Sequence, residues 1–340
     1  MRSAVGVLAC LAVADAYAFP RLRRGVSRVV VVGAAAVAAA TGVSVDPDQK
    51  LKAGIAGFYD GLSPLWEEVW GEHLHHGYYD PSSTKEMSLQ EHQQAQVLMV
   101  DNVLDWALKE RVGFAPARAL DVGCGIGGSS RHISKRFGCD VRGITLSPVQ
   151  VGRATSLSGP KCSFAVQDAL ALTPEYAGKH DLVWSLESGE HMPDKPRFVN
   201  NLVKACAPGG QVVLVTWCHR DLKPGEKDLT KLEKLLLATI NACYYLPKWC
   251  SVADYEKQFQ ERGLVDVRRE DWTANIAPFW PAVIKTAARP RNALKLLKTG
   301  VDGVRSAVAM FLMVVGYKLD LIKFGLVTAT KPNEEAPPAL

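Results

Sequence analysis

Glycines crowd the stretch "LDVGCGIGGSS", Leu120 to Ser130, which reads both as G-x-G-x-G and, through Gly128, as G-x-G-x-x-G. Such a turn between a strand and a helix lets the backbone approach an adenosine cofactor closely, and two cofactor classes use it. A dinucleotide needs an acid about 20 residues on, at the end of the second strand, to hold its ribose. That end reads "VRGITLS" and carries no acid. Asp121, two residues before the first glycine, would repel a pyrophosphate but favour a cationic ammonium or sulfonium. Both observations select S-adenosyl-L-methionine as the cofactor, with Asp121, Gly123, Cys124, Gly125 and Gly127 expected around it.

The elements that must position this turn follow from the apolar pattern. After Pro116, short apolar runs alternate with helical stretches: "ARALDVG", "DVRGITL", "CSFAVQD", "HDLVWSL" and "GQVVLVTW" read as buried strands. "VDVRRED" and "IKFGLVTATK" add two more. The alternation predicts a Rossmann-like, doubly wound, mostly parallel seven-stranded α/β sheet. Upstream, Val97, Val100, Val103, Leu104 and Ala107 share one face of a helix.

Two inserts interrupt the pattern, Cys218 to Cys250 and Asp271 to Lys318, and both are unusually apolar and aromatic. They are expected to form a cap over a large apolar substrate. A third aromatic segment, rich in Tyr, Trp and His, precedes the sheet as an entrance or lid. Tyr59, His76 and Tyr78 from that segment, and Tyr245, Trp249, Phe279 and Trp280 from the inserts, are the expected substrate-binding residues. Tyr59, Tyr78 and Tyr79 are further candidates to close over the donor, where an aromatic face favours a sulfonium.

The chain of 340 residues is 48% apolar and 22% charged, ordinary for a globular protein with a sizeable core. Its net charge of +5 is concentrated at the start: residues 1–45 hold five arginines and one aspartate, leaving the body near neutral. No basic cluster marks a nucleic-acid partner in the body. The eight cysteines never form C-x-x-C, which argues against a zinc knuckle or redox dithiol and predicts free thiols.

Residues 1–45 read as a targeting presequence. Arg2, an apolar run and "ADAYA" suit a signal peptide cut before Phe19, and "FPRLRRGVSR" has the composition of a transit peptide. The pair resembles the two-part plastid presequence of algae with secondary plastids. The apolar run Val29 to Val45 is at the short end for a membrane anchor. Farther along, "ARPRNALKLLKTG" sets Arg289, Arg291, Lys295 and Lys298 beside leucines, a pattern suited to peripheral contact with a membrane surface.

"GITLSP" in place of an acidic strand end resembles the methyltransferases that include the cyclopropane fatty acid synthases, the sarcosine/dimethylglycine methyltransferases and the tocopherol methyltransferases. That resemblance implies that Thr145 and Gln150, with Leu146 beside them, take over the ribose contacts. It also implies that "VQDAL" sets Asp168 at the adenine, flanked by Gln167 and Ala169, with Glu187 close to the donor. "FYDGLSPLWEEVWGEHLHHGYYDP", "LDVGCGIGGSSR", "VWSLESGEHMPDK", "APGGQVVLVTW", "YYLPKWCS" and "APFWPAVIKTA" are each similar to the gamma-tocopherol methyltransferase family of plants and cyanobacteria. The likeness runs from about Leu51 to Lys331 and identifies Leu120–Gly128, Lys179–Glu187 and Cys206–Val215 as three methyl-donor motifs. It implies one class I methyltransferase domain over residues 46–335, which converts gamma-tocopherol to alpha-tocopherol, and delta- to beta-tocopherol, in a plastid. Enzymes that methylate an indole-alkaloid nitrogen share the motifs, so an amine acceptor is the alternative.

Methyl transfer from a sulfonium releases a neutral thioether, so it needs no leaving-group acid and no metal. It needs alignment, a dry pocket and a nucleophile. A phenolic acceptor becomes nucleophilic at its ortho carbon when its hydroxyl is deprotonated, which asks for a general base. Glu187, Glu190 and His191 after the fourth strand, and His73, His75 and His76 in the entrance segment, are the candidates. His191 supported by Glu190 is the expected catalytic pair, because that loop opens at the carboxyl edge of the sheet and a histidine is largely neutral near about pH 7 to 8. H-x-H-H lacks the acidic or cysteine partners of a metal site, and no metal is expected.

Overall fold

Short runs rich in Val, Leu and Ile form the strands, buried on both faces at the centre of the sheet and only partly buried towards its edge. In the computed structural model, which describes residues 57, 60, 63–64, 66–83, 85–292 and 301–333 (side chains at 301, 302 and 304 excepted), these are β1 (Arg118–Val122), β2 (Asp140–Thr145), β3 (Cys162–Val166), β4 (His180–Leu186) and β5 (Cys206–His219). β6 (Val265–Asp271) and β7 (Ile322–Thr330) complete the sheet in the order β3-β2-β1-β4-β5-β7-β6. The first five are parallel, and β7 runs antiparallel between β5 and β6. The presequence, Tyr59, Lys295 and Lys298 lie outside the described residues.

Helices cover both faces. On one side, α1 (Leu89–Leu108) starts at a capping box of Ser88 and Glu91 and buries Met99, Val100, Val103 and Leu104. With α2 (Gly128–Phe137) it packs on Trp184, Val213 and Val215. α3 (Pro148–Leu157) follows β2. On the other side, α4 (Lys195–Ala205) brings Phe198, Val199 and Leu202 to Val183, Val212 and Leu214. The alternation of Val212 and Leu214 against Val213 and Val215 is the strand period dividing one run between two cores.

The inserts form a third, aromatic core. α5 (Lys231–Tyr244) opens on a capping box of Thr230 and Glu233, and α6 (Val252–Gln260) returns the chain to the sheet. α7 (Phe279–Ala287) and α8 (Val301–Lys318) pack with α5 on Trp70 and on Ile322 at the start of β7. This is the cap expected from the sequence. Among the described residues, no helix is long and apolar enough to cross a membrane.

Candidate active site

The winding order reverses between β1 and β4, and a crevice opens at the carboxyl ends of those strands. The turn after β1 lies against the loop after β4: a Cβ on Gly123 would stand 2.3 Å from Ser188 Cβ. Only glycine permits that approach. The Ser188 hydroxyl donates to the Val122 carbonyl at 2.9 Å and ties the loops together. The cleft between them encloses about 900 Å³, part of it open to solvent.

Asp121, Gly123, Cys124 and Gly125 line one side of this cleft, Thr145, Leu146 and Gln150 another, and Gln167, Asp168 and Ala169 a third, with Glu187 at one end. Gly127 does not line it. A Cβ there would lie 2.8 Å from Phe164 Cζ, so Gly127 is reserved for packing against β3, and Gly128 faces the cleft in its place. Asp121 is buried; it accepts a hydrogen bond from Ser130 at 2.5 Å, and desolvation pushes its carboxyl up to about 7. The Thr145 hydroxyl donates to Gln150 Oε1 at 2.7 Å, and Gln150 Nε2 reaches Ser63 Oγ at 3.2 Å. Asp168 Oδ1 accepts the Leu170 N–H at 2.8 Å.

The entrance segment, expected to close over the donor through its tyrosines, supplies a wall of the cleft through other residues. Glu72, His73, Leu74 and His75 line the cleft, and the Glu72 carbonyl oxygen would be 2.4 Å from a Cβ on Gly128. The lid therefore seats on the first residue of α2.

A second cavity of about 1220 Å³, also open at its mouth, lies under the cap. Its walls include Trp66, Trp70, His76, Trp217, Phe279 and Trp280. Of the residues expected to bind substrate, Phe279, Trp280 and His76 line this cavity. Three other expected residues do not line it: Tyr78 packs edge-on against Trp272 at 5.0 Å, Trp249 packs behind Trp217 at 5.9 Å, and Tyr245 ends α5 with the Arg305 guanidinium 5.3 Å over its ring. Trp217 went unnoticed because it sits inside a strand run, where an aromatic signals only burial. The two cavities share Leu74, His75, Glu187 and His191, so they meet at these side chains.

At that junction His76 and Glu187 form a closed pair. Nδ1 of His76 is 2.7 Å from Glu187 Oε2, and the His76 backbone N–H donates to Oε1 at 2.7 Å. Trp217 Nε1 adds a third donor at 3.1 Å. Their side chains are only 1% and 7% exposed. Burial raises the Glu187 carboxyl pKa, but His76 outweighs it and holds Glu187 below its ordinary value, hence ionised. An ionised acceptor requires a proton on His76 Nδ1, so in the neutral ring Nε2 is the atom that carries the lone pair. That atom is buried without a hydrogen-bond partner among the described residues. Glu187 sits in the left-handed region, φ +52°, with its N–H bonded to the Val215 carbonyl at 2.7 Å.

The other histidines are linked differently. His75 Nδ1 faces the His76 carbonyl at 2.9 Å and must carry its proton there, so its Nε2 accepts from His73 Nδ1, also at 2.9 Å. Burial lowers both, His73 to about 2, so His73 and His75 form a neutral hydrogen-bonded pair. Among the described residues, no group of three or more His, Cys, Asp or Glu is placed to hold a metal ion.

In the loop after β4, the two carboxyls are in opposite states. Glu190 accepts from the Thr216 hydroxyl at 2.7 Å; burial and then the Glu187 charge push it up to about 8. The His191 ring is driven down to about 3 by desolvation and the Lys195 charge. Lys195 Nζ, itself lowered to about 8 by burial, donates to the carbonyls of Gly189 and Glu190 at 2.8 and 2.9 Å and anchors the loop. A base with a conjugate acid near 3 is poorly matched to a phenol near about 10.

A cleft so placed, in a sheet whose last strand pair turns antiparallel, defines a class I methyltransferase dependent on S-adenosyl-L-methionine. A family profile described as a methyltransferase domain matches residues 90–269. The chain is 48% identical over 291 residues to the chloroplastic tocopherol O-methyltransferase of Arabidopsis thaliana, covering 84% of this chain and 83% of that one. It is 35% identical over 283 residues to norajmaline N-methyltransferase of Rauvolfia serpentina, covering 81% and 96%. In fold it is similar to geranyl diphosphate C-methyltransferase from Streptomyces coelicolor, solved with Mg2+, geranyl diphosphate and S-adenosyl-L-homocysteine: TM-score 0.63, 21% identity, covering 84% of this chain and 99% of that one. The chain belongs to the tocopherol methyltransferase family.

Proposed function

We propose that the protein methylates a ring carbon of gamma-tocopherol beside the phenolic hydroxyl, giving alpha-tocopherol, and converts delta- to beta-tocopherol in the same way. The observation that carries this reading is the large aromatic cavity that meets the donor cleft at Leu74, His75, Glu187 and His191. Its walls are mostly apolar and aromatic, Trp66, Trp70, Trp217, Phe279 and Trp280 among them, which suits a bulky lipophilic acceptor better than a small amine. A cationic amine would also seek a carboxylate. Glu187 is already taken up by His76 and Trp217, and Glu190 is protonated near neutrality.

The cleft suits the donor: it holds a buried carboxylate, Asp121, and is walled by the glycine turn at Gly123 and Gly125. Asp121, Gly123 and Gly125 would hold the methionine part of S-adenosyl-L-methionine, Thr145 and Gln150 its ribose, and Asp168, with Gln167 and Ala169, its adenine. When bound, it supplies an electrophilic methyl group on a sulfonium. The protein's own part is to exclude water and fix the acceptor. The polar side chains of the acceptor cavity, His76 and His191 among them, would engage the phenolic hydroxyl, leaving the flanking ring carbon as the nucleophile.

Residues 1–45 serve, in this reading, as a two-part plastid presequence ahead of a catalytic domain at 46–335; the chloroplastic Arabidopsis relative supports the plastid address. The stretch from Arg289 to Lys298 would rest on a lipid surface where a prenyl-tailed substrate resides. A chain lacking residues 1–45 that ignores anionic, galactolipid-containing vesicles would contradict that contact. The reading as a whole is tested by incubating the protein with labelled methyl donor and a panel of tocopherols, plastoquinol precursors and amines. Label is expected in gamma- and delta-tocopherol; label in amines alone would overturn the assignment.

A further inference from the structure

We propose that His76 is the catalytic base that takes the proton of the acceptor's hydroxyl, and that Glu187 is its positioning residue. This places the base on the lid and not in the loop after β4. The argument rests on geometry. His76 lines the acceptor cavity, its Nδ1–H is committed to Glu187, and its Nε2 is a buried acceptor with no partner among the described residues. A lone pair of that kind is costly to bury unless something donates to it. The His76 ring packs among aromatic neighbours: the Phe279 ring centroid is 4.2 Å from its own, and Trp280 is 5.3 Å away, edge-on. A hydroxyl entering the cavity supplies the missing donor.

The carboxylate behind the ring does two things. It fixes the tautomer, so that Nε2 is the basic atom, and it stabilises the imidazolium once a proton arrives. Three donors hold Glu187 in place: the His76 backbone, the His76 ring and Trp217. The same wall thus carries the base and orients it, and Glu187 borders both cavities. The other ionisable groups around the pair are His75, Glu190, His191, Lys195 and Tyr317.

The step balances as follows. The acceptor O–H bond breaks, an N–H bond forms on His76 Nε2, and the electron pair left on oxygen is delocalised to the ortho carbon. After that carbon has taken the methyl group, it loses its own hydrogen to solvent as a proton. The ring becomes aromatic again, and the imidazolium returns its proton to the oxygen. One proton is released per methyl transferred.

The proposal rests on a phenolic acceptor, so the wild-type protein must first be shown to methylate the chromanol; failure there sinks the function reading itself. The direct test needs no donor. A ring-fluorinated chromanol, whose phenolate absorbs at longer wavelength than its phenol, is bound to wild type, His76→Asn and Glu187→Gln and titrated with pH. Wild type is expected to bind it as phenolate at a pH where both variants hold the phenol. Turnover should fall about 100-fold or more in His76→Asn, less for the more acidic fluorinated acceptor, with donor affinity unchanged. A smaller His76→Ala variant should regain turnover with added imidazole. Identical spectra in all three proteins, or a wild-type pH–rate profile retained by His76→Asn, would overturn the assignment.

Discussion

The Thr145 hydroxyl donates to the side-chain carbonyl of Gln150 at 2.7 Å, joining the end of β2 to the first turn of α3 on the wall of the donor cleft. Neither residue is charged, yet the pair occupies the place where a ribose-binding acid would otherwise stand. Replacing both with alanine is expected to weaken donor binding by about 1 to 3 kcal/mol, the scale of lost hydrogen bonds. Because the two touch, the single variants should not add up to the double. Calorimetry with the methyl donor checks this; loss of acceptor binding alone would show that they serve the other cavity.

Gly125 adopts φ +53°, and a Cβ placed there would be 3.3 Å from Leu74 Cδ1 on the lid. Gly125→Val puts a branched side chain in a left-handed conformation, at a strain of about 1 to 3 kcal/mol, and directs it into the donor cleft. Donor affinity should drop below detection while the protein stays folded. A variant that binds the donor with wild-type affinity contradicts the assignment of this cleft.

Asp121 gives a pH dependence whose sign can be fixed. Desolvation raises its folded pKa to about 7, so the folded state favours the protonated acid. The stability this contributes is present below the unfolded value near about 3.9 and is lost as pH rises toward the folded one. In the free protein, melting temperature should therefore decline across that window, and Asp121→Asn should flatten the decline. Donor binding runs the other way, because an ionised Asp121 attracts a cation. Wild-type affinity should rise roughly tenfold between about pH 5.5 and about pH 7.5, a change of about 1.4 kcal/mol, and the Asn variant should not follow it.

Much of this arrangement was legible in the chain. The central strands follow from short apolar runs, because a parallel sheet covered on both faces favours Val, Leu and Ile along the whole strand; β6, an exposed edge strand of sequence VDVRRED, shows only a weak alternation. β5 is longer than "GQVVLVTW": it begins at Cys206, which pairs with His180 across an irregular register. The donor residues were readable because a turn, a strand end and a following loop are local features. Gly127 shows the limit of that reading, since a third glycine in the motif answers to Phe164 on β3 and not to the cleft.

The acceptor side was harder, for a physical reason. An aromatic residue announces burial but not which side of a wall it faces, so Tyr78, Tyr245 and Trp249 looked equivalent to Phe279 and Trp280. The His76–Glu187 pair joins residues 111 apart in sequence, and no local pattern encodes a contact of that span. The loop after β4 was expected at the carboxyl edge of the sheet, but the effect of desolvation on His191 and Glu190 depends on burial, which sequence does not show.

The central claim is that the methyl group goes to a ring carbon of a chromanol held at the junction of the two cavities. The most direct measurement is carbon NMR of the product formed from gamma-tocopherol and a donor carrying a 13C-labelled methyl group. The label is expected on an aromatic carbon ortho to a free hydroxyl. Label in a methyl ether, with the hydroxyl consumed, would contradict the account.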